Sequence, residues 1–305
     1  MTITQLENIS AIARKHGCIC SENALLANFT TFGTGGKCPL LIEANGTDFI
    51  SEIIPAMTEE SIPFYILGKG SNLIIEDKDI DMVFIHIGKA MADITLDGGT
   101  IICGAGASLA AASCFARDNS LGGMEFAHGI PGNVGGAVYM NAGAYGGEIK
   151  DIIEYAEAVD RKGNIIRFDK ASMDMSYRHS IFCENKYIIT KAAFSLKKAS
   201  KDDITALMNE LAAKRREKQP LEYRSAGSTF KRPQGAFAAA LIEECGLKGY
   251  SVGNAQVSTK HSGFVINLGN ASFSDIMAVI DHVKETVYRE KGIMLECEPE
   301  IIRSC

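Results

Sequence analysis

GGMEFAHGIPGNVGGAVYMNAGAYGG, residues 122–147, carries more information about the fold than any other stretch of the chain. It contains too much glycine for a regular helix or strand, yet its other residues are too apolar for a flexible linker. Because glycine has no side chain beyond the α-carbon, it lets the backbone approach a ligand closely. We therefore predict that this segment is ordered against a large, flat ligand.

Around this segment, the apolar pattern predicts a chain that mixes helices and strands, an α+β fold. Short apolar runs bounded by glycine or proline are typical of strands, and apolar residues spaced three and four apart predict helices. The helix predicted from Phe273 to Lys291 has Ser272 or Ser274 as its cap and Gly292 as its end. The predicted strands are 40–44, 64–67, 82–87, 100–103 and 187–194, and the other predicted helices are 108–117 and 204–218.

The composition excludes several classes of protein. The 305-residue chain is 46 % hydrophobic and 22 % charged, with a formal net charge of −6. Such a chain folds but lacks the broad basic face that nucleic-acid binding needs. No apolar run approaches the roughly 20 residues of a membrane span, and the N-terminus lacks a signal-peptide pattern. We therefore expect a cytoplasmic protein that has no membrane span and does not bind nucleic acid.

The nine cysteines are scattered along the chain. Cys18 and Cys20 form a close pair, but no second pair or histidine cluster lies nearby to complete a zinc or iron–sulfur site. In a reducing compartment such cysteines are free thiols. The sequence therefore predicts no metal site.

Two glycine motifs look like nucleotide sites but fail on their spacing. Gly104-Ala-Gly106 follows a predicted strand, yet the third glycine of a dinucleotide fingerprint is replaced by Leu109. A tight turn before a helix is therefore expected there. The run from Gly33 to Lys37 resembles part of a phosphate loop, but Cys38 stands where that loop needs serine or threonine to hold magnesium.

A third motif, Leu67-Gly-Lys-Gly-Ser-Asn-Leu73, follows a strand and suits a phosphate better. Successive backbone N–H groups in such a turn form an anion-binding nest, although an ordinary β-turn fits the residues equally well. His128, beside the glycine-rich segment, is either structural or a covalent link to a flavin, and its position alone does not separate the two.

Several motifs occur together in one order: GKGSN at 68–72, the segment 122–148, YRHSIF at 177–182, AGSTFKRP at 226–233, ALIEECGLKG at 240–249 and VSTKHSGFVIN at 257–267. This set closely resembles the UDP-N-acetylenolpyruvoylglucosamine reductase family, and the resemblance extends from Phe29 to Glu298. It implies an FAD-binding part of the vanillyl-alcohol-oxidase (PCMH) type, made of two α+β subdomains, and a C-terminal substrate-binding domain. We expect these at 1–88, 89–198 and 199–305. The last boundary lies within the polar run from Lys197 to Asp203. The stretch from Ile188 to Ile204 leaves no room for the inserted tyrosine loop of one subclass, which indicates the shorter subclass.

The resemblance also implies the cofactors and the substrate. FAD is non-covalent in the family, which argues against a covalent role for His128, and NADPH is the co-substrate. The substrate is UDP-N-acetylglucosamine-enolpyruvate and the product UDP-N-acetylmuramate, a peptidoglycan precursor. The residues implied to contact FAD are Leu67, Gly68, Lys69, Gly70, Ser71, Asn72, Leu73, Gly129, Ile130, Pro131, Gly135, Gly136, Ala137, Asn141 and Gly143.

Three residues match the catalytic positions of the family. Arg178 corresponds to the cation that polarises the substrate carboxylate, Ser228 to the proton donor and Glu298 to its partner acid. A guanidinium gives permanent, bidentate stabilisation to charge that develops on a carboxylate. Counting from Gly292 selects Glu298, with Glu300 as the alternative. The residues predicted to bind substrate are Tyr177, Lys218, Arg232, Lys260 and His261.

Two other functions compete with this interpretation. Another FAD-dependent oxidase of the same fold shares the FAD motifs but does not need the set of Arg178, Ser228 and Glu298. A non-enzymatic nucleotide-binding module keeps the phosphate nest but has no use for a flavin-sized glycine-rich bed. We expect a monomer with a small-molecule substrate as its partner.

Overall fold

The computed structural model describes residues 1–185 and 187–304. Helices and strands are interspersed along this part of the chain, as the apolar pattern predicts. The helices are α1 (Ile3–Lys15), α2 (Thr47–Glu59), α3 (Leu109–Asp118), α4 (Val134–Tyr139), α5 (Ile149–Ile152), α6 (Ile181–Asn185), α7 (Lys201–Lys218), α8 (Ala238–Glu244) and α9 (Phe273–Lys291). The strands are β1 (Ile19–Leu25), β2 (Lys37–Ala44), β3 (Phe64–Leu67), β4 (Leu73–Ile75), β5 (Val83–Ile87), β6 (Ile94–Asp97), β7 (Thr100–Gly104), β8 (Leu121–Gly122), β9 (Gly143–Ala144), β10 (Gly147–Glu148), β11 (Ile153–Val159), β12 (Ile165–Asp169), β13 (Ile188–Ser195), β14 (Lys197–Lys198), β15 (Ser251–Val252), β16 (Ala255–Val257), β17 (Val265–Asn267) and β18 (Glu300–Ile302).

The chain divides into two compact units, each assembled from separate stretches of sequence. Unit 1 consists of Met1–Glu22, Leu40–Lys69 and Met82–Lys214. Unit 2 consists of Asn23–Pro39, Gly70–Asp81 and the chain from Arg215 onward. The sequence-based boundaries at residues 88 and 198 stay a prediction.

The first sheet of unit 1 is parallel where β2, β5 and β3 meet. In register, Leu40 and Phe64 both lie opposite Val83. A parallel sheet is buried on its helix-covered face, so its strands are apolar, and Val83 and Ile85 are fully buried in the same core as Ile53 of α2. The carboxyl end of β3 leads directly into the GKGSN loop, which places this loop at a sheet edge.

The second sheet of unit 1 is antiparallel, with strand order β12-β11-β13-β7-β6. Its central strand, β13, is buried along most of its length and packs against α4, whose Val134 and Val138 are fully buried. Before α3, the Ser108 side chain accepts a hydrogen bond from the Ala111 amide at 3.1 Å. The helix predicted for this segment is therefore confirmed, with its serine as the N-cap.

Unit 2 is built around α9 and the antiparallel sheet β15-β16-β17. The predicted α9 is confirmed from Phe273 to Lys291. Ser272 and Asp275 form a capping box at its start, and Gly292 ends it with a φ of +67°. Its apolar stripe is buried in the core of the unit and consists of Ile276, Val279, Ile280, Val283 and Val287.

A second pairing in unit 2 joins two strands that are more than 200 residues apart in the sequence. The short strand β4 runs parallel to β18, with Leu73 opposite Glu300 and Ile75 opposite Ile302. Because β4 follows the GKGSN loop directly, this pairing brings the last residue of the loop, Asn72, next to the segment that carries Glu298.

Candidate active site

The GKGSN loop offers free backbone donors. Among the described residues, the amides of Lys69, Gly70 and Ser71 donate to no protein acceptor. Gly70 has a φ of +63°, and a β-carbon at this position would overlap the carbonyl oxygen of Phe29. Glycine is therefore required here both for its backbone conformation and for space. A turn with unpaired amides of this kind can bind an anion such as a diphosphate.

The segment Gly129–Ala137 is fixed on one side and open on the other. The amides of Val134 and Gly135 donate to the carbonyls of Ala107 and Ala105 at 2.8 and 2.9 Å. A β-carbon on Gly135 would lie 2.9 Å from that of Ala105, so this glycine packs against protein. By contrast, beyond its chain neighbours and the backbone of its own helix, no atom of the described residues lies within 4 Å of the corresponding position on Gly136. A flat ligand therefore has room at Gly136.

Asn133 connects the two glycine motifs within unit 1. Its side-chain nitrogen donates to the Ile87 carbonyl at 3.2 Å and lies 3.9 Å from the position of a β-carbon on Gly68. The start of the GKGSN loop and the IPGN turn are thus neighbours, as a shared dinucleotide site requires. Asn133 was not among the residues predicted to contact FAD. Its position directly before α4, typical of an N-cap residue, was the available signal.

Arg178 lies at the tip of a tight turn in unit 1. The backbones of Ser176 and His179 exchange two hydrogen bonds, of 3.1 and 3.2 Å, and leave Tyr177 and Arg178 at the tip. Arg178 adopts a φ of +56°, which is uncommon for a residue other than glycine. Its guanidinium stacks on the Tyr177 ring, 4.9 Å from the ring centre, and donates to the Gly143 carbonyl at 3.5 Å.

Ser228 and Glu298 lie on neighbouring extended segments of unit 2. The Glu298 amide donates to the Thr229 carbonyl at 2.9 Å, and Phe230 forms an antiparallel bridge with Cys297. The Thr229 hydroxyl accepts from the Val265 amide at 2.8 Å, which fixes the segment on its other side. Ser228 is exposed and Glu298 is half-buried. A backbone hydrogen bond one residue away thus holds the serine close to the glutamate.

Asn72 extends this arrangement to the GKGSN loop. Its side-chain nitrogen donates to the Glu298 carbonyl at 3.3 Å, and its own carbonyl accepts from the Glu300 amide at 3.0 Å. The predicted FAD-loop residue is therefore bonded to the backbone of the predicted acid.

Comparison with known proteins matches both parts of the chain. The family model described as FAD binding domain matches residues 39–169, and the one described as UDP-N-acetylenolpyruvoylglucosamine reductase, C-terminal domain, matches residues 219–302. The reductase of that name from Clostridium novyi is 46% identical over 92% of this chain and 91% of its own length. The reductase from Agathobacter rectalis is 47% identical, covering 90% of each chain. This chain belongs to the UDP-N-acetylenolpyruvoylglucosamine reductase family.

A solved structure supports the family at the level of the fold. The UDP-N-acetylenolpyruvylglucosamine reductase from Thermus caldophilus superposes with a TM-score of 0.80 at 32% identity, covering 93% of this chain and 98% of that one. The predicted fold, a PCMH-type FAD-binding part followed by a reductase C-terminal domain, is confirmed. The chain is an FAD-dependent oxidoreductase.

The residues predicted to bind the reductase substrate are spread over several elements. In unit 2, Lys260 lies 3.6 Å from Glu222, and Arg232 stacks on the Phe237 ring at 4.4 Å. The ring of His261 accepts from the Gly263 amide at 3.2 Å through Nδ1, and burial lowers the pKa of this histidine. The Gly263 carbonyl in turn accepts from the Thr229 amide, so the histidine loop adjoins the serine segment. Lys218 is exposed at the end of α7.

Glycines in the two rejected motifs pack against neighbouring backbone. A β-carbon on Gly106 would overlap the Gly88 carbonyl, and one on Gly104 would overlap the Met91 carbonyl. In unit 2, one on Gly36 would overlap the Lys78 carbonyl. These glycines allow backbone segments to touch each other.

Two features are absent from the described residues, 1–185 and 187–304. Among them, no helix is both long and apolar enough to cross a bilayer. Nor does any group of three or more histidine, cysteine, aspartate or glutamate side chains there have the geometry to hold a metal ion.

Proposed function

We propose that this protein reduces UDP-N-acetylglucosamine-enolpyruvate to UDP-N-acetylmuramate, with NADPH as the reductant and FAD as a non-covalent cofactor. The observation that carries the proposal is the exposed Ser228 hydroxyl one residue from the hydrogen bond between Thr229 and Glu298, in a chain of this reductase family. A proton donor beside a carboxylate is what reduction of an enol ether needs after hydride addition.

The residues present fit FAD. The unpaired amides of the GKGSN loop would hold its diphosphate, and the backbone around Gly136, which is open to a ligand, would lie against its ring system. The chemistry that bound FAD would supply is the transfer of a hydride equivalent from NADPH to the methylene carbon of the enolpyruvyl group. The protein contributes binding, orientation and protons.

Arg178 would stabilise the charge that hydride addition creates. As the new C–H bond forms at the methylene carbon, the π electron pair moves to the ether-bearing carbon and towards the carboxylate. A guanidinium on that carboxylate is permanently charged and can bind both oxygens. The rigid turn from Ser176 to His179 presents this group, and the rigidity limits reorganisation during the reaction.

Ser228 would then deliver a proton to the ether-bearing carbon, completing the uptake of one hydride and one proton. A serine hydroxyl is a weak acid in water, so it donates only at close range to a strongly basic centre. Glu298 would serve as the partner acid that returns a proton to the serine. Its backbone pairing with Thr229 favours it over Glu300, which lies in β18 opposite Leu73.

The remaining polar residues suit a nucleotide sugar. Lys218, Lys260 and Arg232 supply positive charge for its diphosphate. His261 is neutral near pH 7, because its pKa is lowered and its Nδ1 already accepts a hydrogen bond. It therefore offers an Nε2–H donor. Tyr177, 45% exposed at the tip of the arginine turn, provides an apolar ring for the substrate.

This reaction would place the protein in the cytoplasm, in the synthesis of peptidoglycan precursors. Cell-wall biogenesis, cell shape, cell division and the cell cycle all depend on that supply. We expect it to work as a monomer on small molecules, without nucleic acid.

The product tests the proposal. FAD-loaded protein is incubated without oxygen with NADPH and UDP-N-acetylglucosamine-enolpyruvate, and the sugar nucleotide is analysed by mass spectrometry. We expect a product heavier by two hydrogen atoms, with UDP-N-acetylglucosamine left unchanged in a parallel sample. If NADPH reduces the flavin but the enolpyruvyl compound is recovered unreduced, the oxidase alternative is favoured.

A further inference from the structure

Asn141 occupies a position in unit 1 that no flavin contact explains. Its side chain is fully buried, and its backbone has a φ of +45°. The side-chain nitrogen donates to the Ser176 carbonyl at 2.8 Å and to a Glu148 carboxylate oxygen at 3.0 Å. The side-chain oxygen accepts from the Lys150 amide at 2.9 Å. An amide nitrogen has two protons to donate, so both are used within the protein.

One of these bonds reaches the turn that carries Arg178. Ser176 begins this turn, and its own amide bonds to His179. The bond from Asn141 therefore holds the base of the turn, while the Gly143 carbonyl accepts from the guanidinium at the tip.

The segment after the turn is hydrogen-bonded to the same stretch of chain. The hydroxyl of Ser180 and the thiol of Cys183 both donate to the Tyr139 carbonyl, the latter at 3.0 Å. These bonds, with those of Asn141 and Gly143, tie the arginine turn to residues 139–143.

Glu148 adds an electrostatic link. Its carboxylate accepts from Asn141 and forms an ion pair with Lys150 at 2.7 Å. Lys150, Asn141 and the charge of Arg178 together lower the pKa of Glu148, so it is ionised at neutral pH. A fixed negative charge near the arginine favours one orientation of the guanidinium.

We infer that Asn141 is a positioning residue for Arg178: it sets the turn that presents the guanidinium to the substrate carboxylate, and it is not a ligand of FAD. This inference rests on the proposed function, because it takes Arg178 as the group that binds the carboxylate. It replaces the sequence-based hypothesis of a flavin contact with a role in the step that uses the substrate.

The test uses Asn141→Gly in the FAD-loaded protein. Glycine adopts a φ of +45° without strain, so this variant removes the carboxamide while sparing the backbone. Asn270→Gly is the matched control, because Asn270 has a φ of +56° and is exposed. Asn141→Asp is a second variant. It can still accept from the Lys150 amide but cannot donate to the Ser176 carbonyl, so it also loosens the turn. This variant provides the test if the glycine variant folds poorly.

Rapid mixing without oxygen separates the two half-reactions, and flavin fluorescence measures FAD binding to the apoprotein. We expect both Asn141 variants to bind FAD and to be reduced by NADPH within about twofold of the wild type. Reoxidation by the enolpyruvyl substrate should be slower by about 10- to 100-fold, because a displaced guanidinium no longer meets the carboxylate. Weakened FAD binding, or equal loss in both half-reactions, would show a flavin contact and overturn the inference.

A double-mutant cycle asks whether Asn141 acts through Arg178. In an Arg178→Ala background, Asn141→Gly should slow reoxidation little further, whereas independent effects would multiply and contradict the inference. Reoxidation of the wild-type protein distinguishes failure of this inference from failure of the proposed function. If its reduced flavin is not reoxidised by the enolpyruvyl compound, the proposed function fails, whereas a variant defect against a competent wild type bears on Asn141 alone.

Discussion

Backbone hydrogen bonds position the single residues that are proposed to carry the chemistry of the candidate site. Ser228 is exposed, but the next residue, Thr229, is bonded on both sides, to Glu298 and to Val265. A flexible hydroxyl is thereby delivered from a rigid support, which is the arrangement that proton transfer at close range requires. The weak acidity of serine makes this rigidity necessary.

Ser228→Ala should separate the two halves of the reaction. We expect NADPH to reduce the flavin at the wild-type rate, while reoxidation by the enolpyruvyl substrate slows by about 10²- to 10⁴-fold through loss of the proton donor. Stopped-flow absorbance of the flavin measures both steps, and Ser251→Ala, an exposed serine in β15, is the control. Equal loss in both steps would rule out this role for the hydroxyl.

Glu298→Gln and Glu300→Gln form a matched pair at neighbouring positions. Only Glu298 donates its amide to the segment of Ser228, so we expect its substitution to slow reoxidation by at least about tenfold and that of Glu300 to change it by less than about twofold. The same flavin measurement decides between them. The reverse order of effects would identify Glu300 as the partner acid.

At the level of secondary-structure elements, two glycines serve different purposes: one allows close packing and the other leaves space for a ligand. Gly106 lies before α3 and touches the Gly88 backbone, whereas Gly136 in α4 faces open space. The two residues are both glycine, but their surroundings are opposite. A glycine with an open face beside a ligand loop indicates a bed for a cofactor, which sequence alone does not distinguish from close packing.

Gly106→Ala and Gly136→Ala should therefore differ. We expect Gly106→Ala to lower the free energy of unfolding by about 1–3 kcal/mol through overpacking. Gly136→Ala should leave the apoprotein unchanged or more stable, by up to about 1 kcal/mol, because alanine favours helix, but it should weaken FAD binding. Chemical denaturation of the apoprotein and titration with FAD measure the two effects. Unimpaired FAD binding by the Gly136 variant would argue against a flavin at this position.

At the scale of the whole molecule, local signals were predictable and distant pairings were not. The helix α9 follows from its spacing and caps, and α3 from its alanines and its serine cap. The pairing of β4 with β18 joins segments far apart in the sequence, and two early segments, Asn23–Pro39 and Gly70–Asp81, belong to unit 2. No local pattern encodes such contacts. For the same reason the sequence pointed to Asn141 only as a glycine-motif residue, since its bond to Ser176 depends on tertiary structure.

Stability should fall on mild acidification. Burial lowers the pKa of His261 below its ordinary value of 6.5, so the unfolded chain takes up a proton more readily than the folded one. The contribution of this histidine is complete above pH 6.5 and is lost as the pH falls towards the folded-state pKa. The free energy of unfolding, measured by denaturation between pH 7.5 and 5, should therefore depend less on pH in His261→Gln than in the wild type. Identical pH dependence in the variant would assign the effect to other groups.

Oxidation of NADPH by the FAD-loaded protein in the absence of oxygen tests the central claim most directly. We predict that NADPH is consumed continuously only when UDP-N-acetylglucosamine-enolpyruvate is present, in a one-to-one ratio with it, because the enolpyruvyl group is the electron acceptor. Consumption that stops after one reduction of the bound flavin, and that the enolpyruvyl compound does not restore, would contradict the account.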